Sequence, residues 1–177
     1  SNTPDVREHS VSWSPDGKWI AYLSDETGEY EIHVRSQDGK GAARRVTSDG
    51  DIWRFAPVWS PDSRWMAYSD KKQRLRIVDV GSGATREVDT AAYDDFSDYV
   101  FSPDSRWLVY PKRHANGNSA LWLYALDSGA TRQLTGAESS AMSPAFDPQG
   151  RYLYFLSNRD FNLAFSAYEF NWLYRDA

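Results

Sequence analysis

Cysteine is absent from this chain of 177 residues, which excludes disulfides, thiolate metal ligands and a cysteine nucleophile. Cations are also in deficit: 20 Lys and Arg face 25 Asp and Glu, giving a net charge of −5 and arguing against a nucleic-acid surface. The longest apolar run, Ala120 to Leu126, is far shorter than the about 20 residues of a membrane-spanning helix. We therefore expect neither a nucleic acid nor a membrane as partner, and a cytoplasmic location with the periplasm as the alternative.

Motifs of catalysis and of cofactor binding are missing as well. The sequence holds no Gly-x-Ser-x-Gly nucleophile motif and no His-Glu-x-x-His zinc motif, and its three histidines share no local pattern. The glycines at Gly81 and Gly83 lie between two predicted strands, so no helix N-terminus is available there for a phosphate. We predict no catalytic residue, no metal site and no cofactor in this segment.

What the chain does contain is a repeat rich in aromatic residues. Four segments align without gaps, and each places a proline in a turn of the type Ser-Pro-Asp-Gly between two aromatic strands. The prolines, Pro15, Pro61, Pro103 and Pro148, are 46, 42 and 45 residues apart. A period of about 40–50 residues with several strands per unit is typical of propeller blades. We predict an all-β fold, a segment of a β-propeller with four-stranded antiparallel blades.

The units have predicted boundaries of about 9–47, 55–89, 98–135 and 143–177, the last being incomplete. Outer strands are predicted at Arg45 to Thr47, Glu87 to Val88 and Gln133 to Thr135, and one further strand at Phe165 to Tyr174. Three blades and part of a fourth do not complete a ring of 4–8 blades, so we expect a parent ring of six or seven. The open blade edges lead us to expect self-association of the isolated chain.

The repeat Ser-Pro-Asp-Gly/Ser-Lys/Arg-Trp-aliphatic-Ala-Tyr resembles the WD-like repeat of TolB-like proteins, tricorn proteases and prolyl-oligopeptidase propellers. Three stretches and the tail look like the second propeller of bacterial tricorn protease homologues in particular: 22–32, 68–75, 152–162 and 166–171. The resemblance implies a propeller of a serine peptidase, guiding or gating oligopeptides towards catalytic domains outside this chain. The alternative is a TolB-like propeller that serves as a protein-docking platform. The implied partners are the remaining blades, the catalytic domains and oligopeptides.

Two recurrent residue types have a structural and a functional interpretation. The turn aspartates Asp16, Asp62 and Asp104 either cap their own turns or form repeated cation sites, and turn capping is favoured. The tryptophans either fill the space between blades or offer a stacking surface, and packing is favoured because blades bury both faces. Ser63 and Ser105 replace the turn glycine, so either a strain of about 1 kcal/mol is tolerated or the turn differs.

An acidic run is less easily explained by packing. Asp94, Asp95 and Asp98 lie in the connection from one outer strand to the next inner strand, which crosses the face where a propeller channel opens. Trp53 and Arg54 occupy the equivalent connection one blade earlier, and Glu138 lies in the connection one blade later. These six residues are candidates for a substrate channel. The alternatives are an ordinary solvated loop and, for clustered carboxylates, a calcium site.

Overall fold

The computed structural model describes residues 4–159, which consist of strands and turns. Within this range the chain forms fourteen strands: β1 (Glu8–Trp13), β2 (Trp19–Ser24), β3 (Glu31–Ser36), β4 (Arg44–Arg45), β5 (Val58–Trp59), β6 (Trp65–Ser69), β7 (Arg74–Asp79), β8 (Thr85–Thr90), β9 (Val100–Phe101), β10 (Trp107–Arg113), β11 (Ser119–Ala125), β12 (Thr131–Gln133), β13 (Ala141–Phe146) and β14 (Leu153–Ser157). No helix among the described residues has the length and apolar character needed to cross a membrane.

The strands pair in chain order into antiparallel sheets. Three sheets have four strands each, β1–β4, β5–β8 and β9–β12, and β13 pairs with β14 in a fourth, two-stranded sheet. This succession of meandering four-stranded sheets is the blade arrangement of a β-propeller and confirms the predicted fold class. The further strand predicted at Phe165 to Tyr174 lies outside the described residues.

The outer strands do not fall where the sequence predicts in the first and third blades. In the first blade the outer strand covers only Arg44–Arg45, which is shorter than predicted and begins one residue earlier. In the third blade it covers Thr131–Gln133, which begins two residues earlier than predicted. Beyond the ladder the amide of Val46 still donates to the carbonyl of Ile32 at 2.7 Å, but the return bond goes to a side chain: Thr47 Oγ1 accepts the amide of Ile32 at 2.9 Å. Thr135 Oγ1 accepts the amide of Leu121 at 3.0 Å in the same way. A hydroxyl therefore satisfies the backbone donor that a longer outer strand would have bonded.

The repeated turn is held by its serine and aspartate. In the first blade Ser14 Oγ accepts the amide of Trp19 at 2.9 Å and donates to Asp16 Oδ1 at 2.6 Å. Asp16 Oδ1 also accepts the amide of Lys18 at 3.1 Å. The same bonds recur around Asp62 and Asp104. The three aspartates thus cap their own turns, and the Ser14 hydroxyl and Lys18 amide lower the pKa of Asp16 to about 2.

Serine replaces the turn glycine without changing the turn. Ser63 and Ser105 have φ of 61° and 59°, close to the 71° of Gly17 at the same position. Each hydroxyl reaches the preceding blade: Ser63 Oγ accepts the amide of Asp16, and Ser105 Oγ accepts the amide of Asp62, both at 3.0 Å. The left-handed conformation is therefore tolerated, and it places a hydrogen bond between neighbouring blades.

Apolar side chains fill the three junctions between blades. The first junction contains Ala21, Leu23 and Ile32 from one blade and Trp59 and Met66 from the next. The second junction repeats the arrangement, and the third is formed by Val109, Leu121 and Ala141 with partly buried neighbours. Successive side chains of a strand point to opposite faces, so every internal blade packs on both sides.

Arginines of the outer strands form hydrogen bonds across the same junctions, each to a backbone carbonyl of the next blade. Arg44 Nη2 donates to the carbonyl of Val80 in the second blade at 2.6 Å. Arg86 Nη1 donates to the carbonyl of Leu126 in the third blade at 2.8 Å. The donor lies in an equivalent position of each outer strand, so this is a second polar link that repeats with the blades.

Candidate functional site: a cleft between the second and third blades

The predicted site residues lie in the segments that connect one blade to the next. The connection at 46–57 leads into the second blade, and the connection at 91–99 leads into the third. The loop at 70–73 touches both of them. Lys71 donates its backbone amide to the carbonyl of Trp53 at 3.0 Å and pairs through Nζ with Asp95 at 2.7 Å. The two connections are therefore neighbours at one end of the blades.

Arg54 lies inside the protein, where its side chain is only 2% exposed. Its guanidinium bonds Glu31 Oε2 and Asp49 Oδ1, each at 2.7 Å, and also Thr47, whose hydroxyl donates to Glu31. Burial alone would raise the pKa of Asp49, but Arg54 and Arg76 together hold it below its ordinary value. These hydrogen bonds hold the connection at 46–57 against the first blade, and almost no surface of the Arg54 guanidinium remains for a ligand.

Trp53 is more accessible, with 42% of its surface exposed. Its ring stacks on His9 with 5.5 Å between centroids and meets Tyr30 edge to face at 4.7 Å. The contacts position one face of the indole and leave part of the ring to solvent. Trp53 does not border the cleft that holds the acidic run.

The acidic run is partly neutralised by neighbouring cations. Arg113 donates to Asp94 at 2.9 Å and lowers its pKa, and Lys71 pairs with Asp95. Asp98 is exposed and has no side-chain partner among residues 4–159. Asp98 also adopts φ of 56°, in the left-handed region, as Ser10 does at the same repeat position in the first blade. Of the three carboxylates, Asp98 is therefore the one available to a ligand.

The three aspartates line a cleft of 630 Å³ between the second and third blades. The second blade and its connection contribute Phe55, Ala56, Val58, Ser69 and Lys71, and the acidic connection contributes residues 94–99. Apolar side chains form much of the wall, with Val58 39% exposed. The cleft therefore combines an apolar wall with three carboxylates and one lysine, a mixture of surfaces that is typical of ligand-binding clefts.

Glu138 lies apart from this cleft. It is exposed in the connection that leads to the fourth unit, where its backbone carbonyl accepts an amide hydrogen bond from Asn118 at 3.1 Å. The sequence prediction also missed Lys71, Phe55 and Val58 as cleft residues. No local motif marks them, because the cleft forms from three segments that are separated in the sequence, at 55–58, 69–71 and 94–99. Among residues 4–159, no group of three or more His, Asp or Glu side chains is placed to hold a metal ion.

Comparison with known proteins gives one family and several structural relatives. The family model described as "Tricorn protease second beta propeller domain" matches residues 1–177. The "Uncharacterized peptidase YuxL" of Bacillus subtilis (strain 168) is 28% identical over 156 residues, which cover 87% of this chain and 22% of that protein. The chain thus spans about a fifth of the length of this curated relative.

Two solved structures share the fold. The crystal structure of the tricorn protease superposes with a TM-score of 0.76 at 19% identity, over 86% of this chain and 15% of that one. TolB from Acinetobacter baumannii superposes with a TM-score of 0.62 at 21% identity, over 84% of this chain and 37% of that one. At such identities the two structures support the propeller fold alone.

Proposed function

Because this chain belongs to the family of the tricorn protease second beta propeller domain, we propose that it is the propeller part of a tricorn-like serine peptidase and guides oligopeptides to a catalytic domain outside it. The observation that carries the proposal is the cleft between the second and third blades. It has an apolar wall, and the carboxylate of Asp98 in it has no side-chain partner among residues 4–159. The Bacillus subtilis relative is named as a peptidase, and this supports the same class of parent protein. The partners would be the remaining blades, the catalytic domains and the peptides themselves.

Charge selection is the simplest action that this geometry supports. Lys71 and Arg113 already neutralise Asp95 and Asp94, so the net charge presented to a peptide comes mainly from Asp98. A cationic group of a peptide would be attracted there, and an acidic segment would be repelled. Exposed charge pairs contribute about 0.2–1 kcal/mol, so the expected preference is severalfold. We place this action in the cytoplasm, with the periplasm as the alternative location.

The test is a kinetic comparison in the full-length peptidase that carries this propeller. Asp98→Asn removes the charge, and asparagine tolerates the left-handed backbone at this position. We expect kcat/KM for peptides of about ten residues with lysine near one end to fall by about two- to fivefold, with little change for dipeptide substrates. Entry through the cleft matters only for substrates long enough to be sorted there.

The matched control is Asp127→Asn, which makes the same charge change at an exposed turn at the opposite end of the blades. That turn uses the Asp127 side chain to accept the amide of Ser128, an interaction that asparagine retains. If both variants have the same kcat/KM as the unsubstituted peptidase for long and short peptides, the cleft does not guide substrates. The acidic run would then be a solvated loop, and the docking platform would be the better explanation of the propeller.

A further inference from the structure

Backbone hydrogen bonds join the segment before each unit to the end of that unit's second strand, except in the third blade. In the second blade the amide of Lys71 donates to the carbonyl of Trp53 at 3.0 Å, and the amide of Phe55 donates to the carbonyl of Ser69 at 2.9 Å. The first of these bonds recurs in the first and fourth units between residues at the same repeat positions: Asp25 with Arg7, and Asn158 with Ser140.

The third blade lacks both bonds. Its residues at these repeat positions are Arg113 and Pro111 on β10, and Asp95 and Ser97 in the acidic connection. Among residues 4–159, no backbone hydrogen bond joins the two segments, and β10 pairs with β9 only as far as Val109. The amide of Arg113 and the carbonyl of Pro111 therefore have no hydrogen-bond partner within the described range.

These two groups point to the inner edge of the blade, away from β11. Trp107 accepts the amide of Ser102 on the inner edge, and Pro111 and Arg113 share its phase along the strand. His114, of the opposite phase, donates its amide on the β11 side. Arg113 is exposed, and Pro111 suits an edge because proline has no amide to offer a ladder.

The acidic connection is held on the second blade instead. Ser69 Oγ donates to the carbonyl of Phe96 at 3.0 Å, and Lys71 Nζ pairs with Asp95 at 2.7 Å. The ring of Phe96 packs on Tyr110 with 5.5 Å between centroids, so this side chain lies in the junction while its backbone bonds the second blade. The inner edge of β10 is thus left unpaired because the segment that would pair with it bonds elsewhere.

We propose that the inner edge of β10 at residues 111–113 binds an extended peptide as an added strand. The ligand must present a carbonyl and, two residues further along, an amide, as residues 53–55 do in the second blade. The carbonyl accepts the Arg113 amide, and the amide donates to the Pro111 carbonyl. Both bonds use main-chain atoms, so binding here does not depend on the side chains of the peptide. The inference rests on the proposed function in taking a peptide as the ligand.

Hydrogen exchange with mass spectrometry tests whether a peptide covers this edge. The probe is an acetylated and amidated peptide of about ten residues that alternates threonine and alanine and has no charge for the cleft to select. We expect a large excess of this peptide to slow exchange severalfold in the fragment that contains Arg113. The fragment that contains Lys71 should not change, because the Lys71 amide already bonds Trp53. The same peptide methylated on every backbone nitrogen should protect neither fragment.

Two substitutions at Arg113 separate its backbone from its side chain. Arg113→Ala removes the ion pair with Asp94 and keeps the amide, whereas Arg113→Pro removes both. No bond within the described residues uses this amide, so proline should leave the blade folded, and urea midpoints of both variants verify this. In a thermophoresis titration at low micromolar protein, we expect Arg113→Pro to bind the peptide about tenfold more weakly than Arg113→Ala.

An Arg113 fragment that exchanges equally fast with and without the peptide would overturn the inference. Equal affinity of the two variants would also overturn it, because the peptide would then bind elsewhere. Protection that grows with protein concentration in the absence of peptide would overturn it as well and identify a second copy as the occupant. The probe has no charge, so unchanged kinetics of Asp98→Asn would count against charge selection in the cleft and not against this edge.

Discussion

The hydroxyl of Ser105 offers a sensitive test of how the blades are joined. The residue is 7% exposed, adopts φ of 59°, and accepts the amide of Asp62 in the preceding blade. Alanine keeps the left-handed strain and removes the hydrogen bond. Glycine removes the bond and the strain together. The two substitutions at one position therefore separate the two contributions.

The magnitudes follow from the geometry. Loss of a hydrogen bond of this kind costs about 0.5–1.5 kcal/mol, and Asp62 is exposed enough for water to hydrate its freed amide, so Ser105→Ala should destabilise the chain by about 1 kcal/mol. Ser105→Gly loses the same bond but relieves about 1–2 kcal/mol of strain, against about 0.5–1 kcal/mol of added chain entropy. Its net effect should be within about 0.5 kcal/mol of zero.

Urea unfolding at low micromolar protein measures both variants. With m of about 1–3 kcal/mol/M, Ser105→Ala should lower the midpoint by roughly 0.3–1 M with m unchanged. Ser48→Ala is the control, since Ser48 is exposed and its hydroxyl has no hydrogen bond within the described range 4–159. A midpoint for Ser105→Ala equal to that of the parent chain would refute the reasoning, because the link between blades would then contribute nothing.

Three further predictions concern stability and association. Trp65 packs on the second junction, and its ring centroid lies 5.0 Å from Cζ of Arg64 and 4.6 Å from Cζ of Arg86. Trp65→Ala should therefore lower the free energy of unfolding in urea by about 3 kcal/mol. Tyr93→Ala, at a residue that is 58% exposed, should lower it by well under half as much. Burial lowers the pKa of His33 below 6.5, so below that pH the unfolded chain binds a proton that the folded chain resists. Stability should therefore decline as the pH falls from 7 to 5.5, and the decline should be smaller in His33→Gln, which has no imidazole to protonate. The exposed side chains of Trp13 and Leu156 should make the isolated chain associate at high micromolar concentration, and light scattering should detect less association in Trp13→Ser. A stable monomer across the concentration series would contradict this last expectation.

Much of the fold could be predicted because its signals are local. The turn around Pro15 and its three repeats fixes the ends of two strands in every unit, and the structure confirms the blades that follow from it. The outer strands were less predictable. The amides of Val46 and Leu134 still donate to the neighbouring strand, but the hydroxyls of Thr47 and Thr135 accept the return bond that a backbone carbonyl would accept in a regular ladder. A β-branched residue looks the same in sequence whether its carbonyl or its hydroxyl accepts the bond.

The candidate site was predictable only where its residues are neighbours in sequence. Asp94, Asp95 and Asp98 lie in one segment and meet in one cleft. Arg54 has the same kind of sequence context as an exposed loop residue, yet it is buried because Glu31, 23 residues away in another blade, supplies its counter-charge. A single sequence gives the charge of Arg54 but not the position of its partner. The prediction that these residues form a channel stays open to the kinetic test.

The serine links have a consequence for the way the chain comes apart. Units that contact only their neighbours unfold as a nearest-neighbour array, in which the weakest interface decides where opening begins. The third junction has Gly150 where the other two have serine, so it lacks one hydrogen bond that they share. Native-state hydrogen exchange should therefore show a subglobal opening in which the amides of β13 and β14 exchange together, before those of β6, β7, β10 and β11. The choice of serine or glycine at the last position of each repeated turn would then set how cooperatively this chain unfolds.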